Sequence, residues 1–101
     1  MRFATTEGFY SIEEMPNQPS MAICFDFTIY PQFRGQKAAH ALKRHQIETL
    51  IRQGFTSAIC TTQSSNIAQR KVLEKAGWKI SSNFIDQRTD ATAILWKWDR
   101  Y

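Results

Sequence analysis

Residues 21–39 restrict the fold more than any other stretch of the chain. Met21, Ile23, Phe25, Phe27 and Ile29 alternate with Ala22, Cys24, Asp26, Thr28 and Tyr30. A period of two, rich in aromatic and β-branched residues, predicts a strand with one strongly apolar face. Pro31 stops it, because proline has no N–H to give to a ladder. Within a few residues the period changes. From about Gln36 to Gln53, Ala38, Ala39, Leu42, Ile47, Leu50 and Ile51 recur at three- and four-residue steps, which predicts a helix with an apolar side. His40, Lys43, Arg44, Glu48 and Arg52 are expected mostly on its other sides, and Gly54 to close it in a left-handed conformation.

A strand running through a tight turn into a helix start has chemical consequences. The first turn of a helix leaves N–H groups without partners, and the helix dipole adds positive charge. A pyrophosphate fits such a place. Gly35, Ala38 and Ala39 are small enough to let a ligand approach the backbone, and Arg34 and Lys37 add charge. The same residues can equally be a glycine turn followed by alanines that pack a helix on a sheet. On these residues alone both readings stand.

The rest of the chain continues the alternation. Gly8–Ile12 can form a strand, followed by the proline-marked loop Met15–Ser20. Thr56–Thr61 reads as a buried strand. Ser64, Ser65 and Asn66 offer N-caps to a second helix, about Ile67 to Ala76, with Ala68, Val72, Leu73 and Ala76 inward and Gly77 as its stop. Lys79–Ile85 and Ala91–Trp98 read as two strands joined by a polar turn. The order β, β, α, β, α, β, β predicts an α/β (α+β) fold. It has a mixed central sheet of five or six strands and two main helices, parallel in the middle and antiparallel at the closing hairpin. A chain of 101 residues has room for one domain, 1–101.

Composition narrows the partners without choosing among them. A net charge of +4 favours something anionic. Lys and Arg are scattered, which suits a solvated face better than a nucleic-acid surface. Trp96-Lys97-Trp98, with Arg100 and Tyr101, could stack bases, but a core strand with an exposed end is the better reading. Cys24 and Cys60 are isolated in apolar runs and are expected to be buried free thiols in a reducing compartment, with no metal site. His40 and His45 are expected at the surface. The N-terminus lacks the apolar segment of a signal peptide, and no apolar run nears membrane-spanning length. A cytoplasmic protein with no membrane contact is expected.

Two segments together resemble the signatures of the GNAT superfamily of N-acetyltransferases. Asp26 to Ala39 looks like its acetyl-CoA-binding motif, in which an acidic residue and an apolar strand lead through proline to arginine-glycine-x-glycine-x-glycine or alanine. Ser65-Asn66-Ile67-Ala68 through Leu73-Glu74-Lys75-Ala76-Gly77-Trp78 resembles the second signature: an asparagine, a helix, and a glycine-aromatic pair opening the next strand. The resemblance covers about residues 21–98. The strand and helix pair that usually precede this part in the family are missing or reduced to residues 1–20.

The resemblance implies acetyl-CoA as co-substrate and an amine as acceptor. Phe27, Thr28 and Ile29 would offer backbone groups to the pantetheine arm and thioester. The amides of Arg34, Gly35, Gln36, Lys37, Ala38 and Ala39 would hold the pyrophosphate, and Asn66 would contact the pantetheine or nucleotide. Asp26 would be the base, through a water, although a solvated residue on the strand's polar face is an equal reading. Three positions differ from the family pattern. Lys37 stands for glycine, Leu73 for the tyrosine that protonates the leaving thiolate in many members, and Thr61 for a glutamate base found in some. A fold kept only for binding or regulation, as in stripped-down phage proteins, is therefore the alternative to an enzyme. A basic nucleic-acid module ranks third. The exposed edges of so small a sheet could also pair in a homodimer.

Overall fold

A computed structural model describes residues 1–35 and 37–101, so the expectation for Gln36 lies outside the described residues. Six strands and two α-helices follow one another as β1 (Arg2–Ala4), β2 (Gly8–Met15), β3 (Gln18–Ile29), α1 (Ala38–Arg52), β4 (Ser57–Gln63), α2 (Ile67–Lys75), β5 (Lys79–Asp86) and β6 (Ala91–Asp99). A single 3-10 turn, Pro31–Phe33, links β3 to α1. The strands form one mixed sheet in the order β1-β2-β3-β4-β6-β5. Only β3 and β4 run parallel, as the helix between them requires; the other neighbours are antiparallel.

Three features differ from expectation. Residues 15–20 are a tight hairpin rather than a loop, with Asn17 at φ +63° supplying the left-handed turn residue. Residues 2–4 add an edge strand too short to show any periodicity. Finally, β6 lies between β4 and β5, so α2 does not carry the chain to an adjacent parallel strand. Trp96 and Trp98 explain this order. They are 0% and 6% exposed, and only a central strand can bury two indoles. Their burial also leaves no indole face for nucleic-acid stacking.

Both helices pack on one face of the sheet. Leu42 and Leu50 of α1 and Leu73 of α2 join Tyr10, Ile12, Ala22, Cys24, Ala58, Ile94, Trp96 and Trp98 in one core. The alternation along β3 thus works opposite to its hydrophobicity: small Ala22 and Cys24 face the helices, whereas Phe25 on the other side is 42% exposed. Beyond Asp26 the large residues do turn inward, and Phe27 and Ile29 pack against the core. A bulge makes the switch. Phe9 pairs with Thr28 and Ser11 with Phe25, so one residue of β2 opposes two of β3, and Asp26 takes φ +55°.

The buried stripe of α1 is also rotated from the expected one. It comprises Ala38, Leu42, Lys43, Gln46, Thr49 and Leu50, while Ile51 is 37% exposed. One polar residue of that stripe, Thr49, and its neighbour His45 have a hydrogen-bond partner on the sheet. The Tyr10 hydroxyl lies 2.7 Å from both His45 Nδ1 and Thr49 Oγ1, fastening α1 to β2. His45 is therefore a half-buried interface residue and not a surface histidine.

Candidate functional site

The helix start of α1 has no side-chain cap. Gly35 has φ +79°, the left-handed region that favours glycine. Lys37, the N-cap, has φ +62° and caps nothing with its side chain. A non-glycine residue there carries about 1 kcal/mol of strain. The start of α2 is different, because Asn66 Oδ1 accepts from the Gln69 N–H at 3.2 Å. Capping thus occupies Asn66's oxygen, and the uncapped helix start is that of α1 alone. The Arg34 N–H is also spoken for, donating to Pro31 O at 3.3 Å, so it drops out of the expected cradle.

That helix start opens onto a cleft of about 470 Å³. Ile29, Phe33, Arg34, Gly35, Lys37, Ala38, Ala39 and His40 line it from one side, and Ala68, Lys71 and Val72 of α2 from the other. Among these described residues stand three cations and a histidine, with no carboxylate. The charge and the helix dipole both favour an anion at one place. Of the residues expected to hold a cofactor, Ile29, Arg34, Gly35, Lys37, Ala38 and Ala39 meet here. Phe27, Thr28 and Asn66 do not line this cleft.

Phe27 and Asp26 belong to a second cavity, about 130 Å³, where the sheet divides. The parallel pairing of β3 with β4 ends at Ile23 and Ile59, and beyond these the strands part. The gap is lined by Cys24, Phe25, Asp26 and Phe27 of β3, Cys60, Thr61 and Thr62 of β4, Lys43 and Gln46 of α1, and Gln69 of α2. From Cys24 onward, the β4-facing edge of β3 has no strand beside it, so backbone groups there can meet a ligand.

Lys43 is the surprise of this cavity. Expected on the outer side of α1, it is 1% exposed. Its Nζ donates to Gln46 Oε1 at 2.8 Å and lies 4.2 Å from the centre of the Phe27 ring and 5.0 Å from that of Trp78. Burial pulls its pKa below the usual lysine value, opposed by the thiols of Cys60 and Cys24. Burial likewise pushes Cys24 up to about 12 and Cys60 up to about 11, so both are unreactive thiols near neutral pH. Periodicity gave no signal for Lys43, because a lysine on an amphipathic helix normally points to water.

The buried amine has a measurable effect on stability. Between Lys43's lowered folded pKa and its ordinary 10.5, the unfolded chain binds more protons. Wild-type stability therefore gains a rising contribution from Lys43 across that window. Above pH 9 the thiols act the other way, because they ionise first in the unfolded chain. Lys43→Met should raise stability by about 1 kcal/mol at pH 7, removing an unpaired buried cation while leaving Gln46 one partner short. Urea melts of both proteins at several pH values should show this advantage shrinking toward pH 10. A variant less stable at pH 7 would contradict it.

Asp26 stands at the mouth of the gap. Its side chain is 55% exposed and lies 3.9 Å from Arg2, a loose ion pair. Leu73 is fully buried. Among the described residues no group of His, Cys, Asp and Glu could hold a metal ion, and no helix is long and apolar enough to cross a membrane.

A model of the acetyltransferase (GNAT) family matches residues 7–78. No curated protein gives a match. Solved structures do. The ribosomal-protein-S18-alanine N-acetyltransferase from Escherichia coli aligns with TM-score 0.77 and 18% identity over 92% of this chain and 61% of its own. Ard1 from Thermoplasma volcanium aligns with TM-score 0.81 and 17% identity over 94% of this chain and 64% of its own. YncA from Salmonella typhimurium, solved with its cofactor acetyl-CoA, gives 0.80 and 12% over 94% and 58%. At such identities the likeness is one of fold. In these three comparisons the chain spans less than two thirds of the other protein's length.

Proposed function

The chain belongs to the GNAT acetyltransferase family, and on that premise we propose that it binds acetyl-CoA and transfers the acetyl group to an amine. One observation carries the reading: the uncapped start of α1 opens onto a cleft whose described residues include three cations and no carboxylate. The diphosphate would sit against the amides following Arg34, with Lys37 and Lys71 nearby. The pantetheine arm would run along the free edge of β3 at Phe27, Thr28 and Ile29 into the gap beside β4.

The chemistry needs few groups. The amine nitrogen attacks the thioester carbon, the C–S bond breaks and the thiolate leaves. Asp26, at the mouth of the gap, takes a proton from the substrate's ammonium, directly or through water, so that the free amine can attack. Leu73, sealed in the core, has no proton to give, so the thiolate is protonated by solvent.

Acetyl-CoA at 100 times its dissociation constant should stabilise the fold by about 2.7 kcal/mol, read as a rise in melting temperature. Replacing Lys71 with alanine should weaken that rise without unfolding the protein. Absence of a shift at millimolar acetyl-CoA, with the fold intact, would defeat the reading. Release of free CoA in the presence of a panel of amines tests turnover, and Asp26→Asn should slow it about 100-fold. Binding without turnover across the panel would instead favour a non-catalytic member.

A further inference from the structure

The gap between β3 and β4 holds the Lys43 amine, and the carboxylate that lines the gap, Asp26, is directed to Arg2 instead. Lys43 Nζ makes one hydrogen bond, to Gln46 Oε1, and no ion pair to it is found among the described residues. The rings of Phe27 and Trp78 flank the nitrogen at 4.2 and 5.0 Å and favour its ammonium form. Gln46 Nε2, buried beside it, has no hydrogen-bond partner among the described residues. Two side chains, each 1% exposed, thus bring unused donors to one cavity. Thr61 and Gln69 also line the cavity, but no hydrogen bond from Lys43 or Gln46 to either is found among the described residues. Thr62 Oγ1 already takes the Trp96 indole N–H at 2.9 Å, and the two thiols are weak acceptors. Asp26 lies on the rim, exposed, with its carboxylate toward Arg2.

Buried donors and a buried cation are normally satisfied, because leaving them unpaired is expensive. We infer that the cavity lined by Lys43, Gln46, Cys24 and Cys60 is a carboxylate site. An ammonium and an amide N–H side by side suit the two oxygens of one carboxylate. The volume of about 130 Å³ limits what carries that carboxylate. At roughly 30 Å³ per water it equals some four waters, enough for a carboxylate and one or two methylenes.

The cavity lies where the sheet divides. Resting on the coenzyme reading above, the carboxylate is the far end of a short acyl chain on CoA, of the malonyl or succinyl kind. Transfer then proceeds as for acetyl. The amine nitrogen bonds to the thioester carbon, the C–S bond breaks, CoA leaves as thiolate and is protonated, and the product amide keeps its pendant carboxylate.

Calorimetric titration of the full chain with CoA, acetyl-CoA, malonyl-CoA and succinyl-CoA tests this. The wild type should bind malonyl- or succinyl-CoA at least tenfold more tightly than acetyl-CoA. Lys43→Met should erase that preference and keep the affinity for CoA itself. If CoA binds and acetyl-CoA binds as well as the carboxyl-ended thioesters, the carboxylate site is overturned and the coenzyme reading stands. If CoA does not bind, the coenzyme reading fails, and free malonate and succinate decide the site. A melting-temperature rise at millimolar concentration in the wild type, absent in Lys43→Met, supports it, and no rise overturns it. Should Lys43→Met fail to fold, the wild-type comparisons alone decide.

Discussion

Trp96→Ala is expected to lower the unfolding free energy by about 4 kcal/mol. The indole is fully buried in the middle of the core and faces Cys60 on one neighbouring strand and Ile80 on the other. Its N–H donates to Thr62 Oγ1 at 2.9 Å, so truncation also costs that hydroxyl its donor. Strands on both sides hold the backbone in place, which prevents the hole from collapsing. A domain this size has only about 5–15 kcal/mol in hand, so the variant should sit close to unfolding at room temperature. Chemical denaturation followed by circular dichroism measures the loss. Trp96→Phe should keep more than half of the stability that alanine forfeits. A loss under about 1 kcal/mol for Trp96→Ala would mean that β6 is not the central strand described.

Gly8→Ala is the second large effect, about 3 kcal/mol of destabilisation. A methyl group on Gly8 would collide with the Thr28 carbonyl oxygen and lie 3.1 Å from both Ile29 Cα and Leu42 Cδ2. Two of the three obstacles are backbone, so β2 and β3 must move apart. Gly35 is different: added atoms there meet nothing within 4 Å, and only its φ of +79° demands glycine. Because Thr28 and Ile29 follow the Asp26 bulge on the edge proposed for the pantetheine arm, any Gly8→Ala protein that folds should also bind CoA more weakly. Equal stability of Gly8→Ala and wild type in a urea melt would refute the close approach.

What the sequence made legible is local. The two-residue period of β6, the N-cap Asn66, and the closing glycines Gly54 and Gly77, at φ +86° and +90°, are each decided by a few neighbouring residues. The glycine turn at Gly35 was readable for the same reason. The bulge at Asp26 was not, since no glycine or proline marks it, and without it the five large residues of β3 fall on one face. The stripe of α1 was misjudged because Lys43, Gln46 and Thr49 are buried by groups on β2, β3 and α2, which helical spacing does not contain. Lys71's place in the cleft likewise depends on how α2 meets α1. Residues 91–98 were recognised as a strand, but its seat beside β4 follows from burying two indoles at once.

The seam in the sheet has a mechanical consequence. Met21–Ile23 and Ser57–Ile59 are the whole of the parallel junction between its two halves, three rungs against seven between β4 and β6. Torsion should concentrate there, with strands β1–β3 twisting as one plate and β4–β6 as another about a short hinge. A coenzyme arm lying in the open end of the seam would brace the plates. Its arrival should then slow amide exchange at residues 24–29 on one lip and 60–63 on the other far more than anywhere else in the molecule.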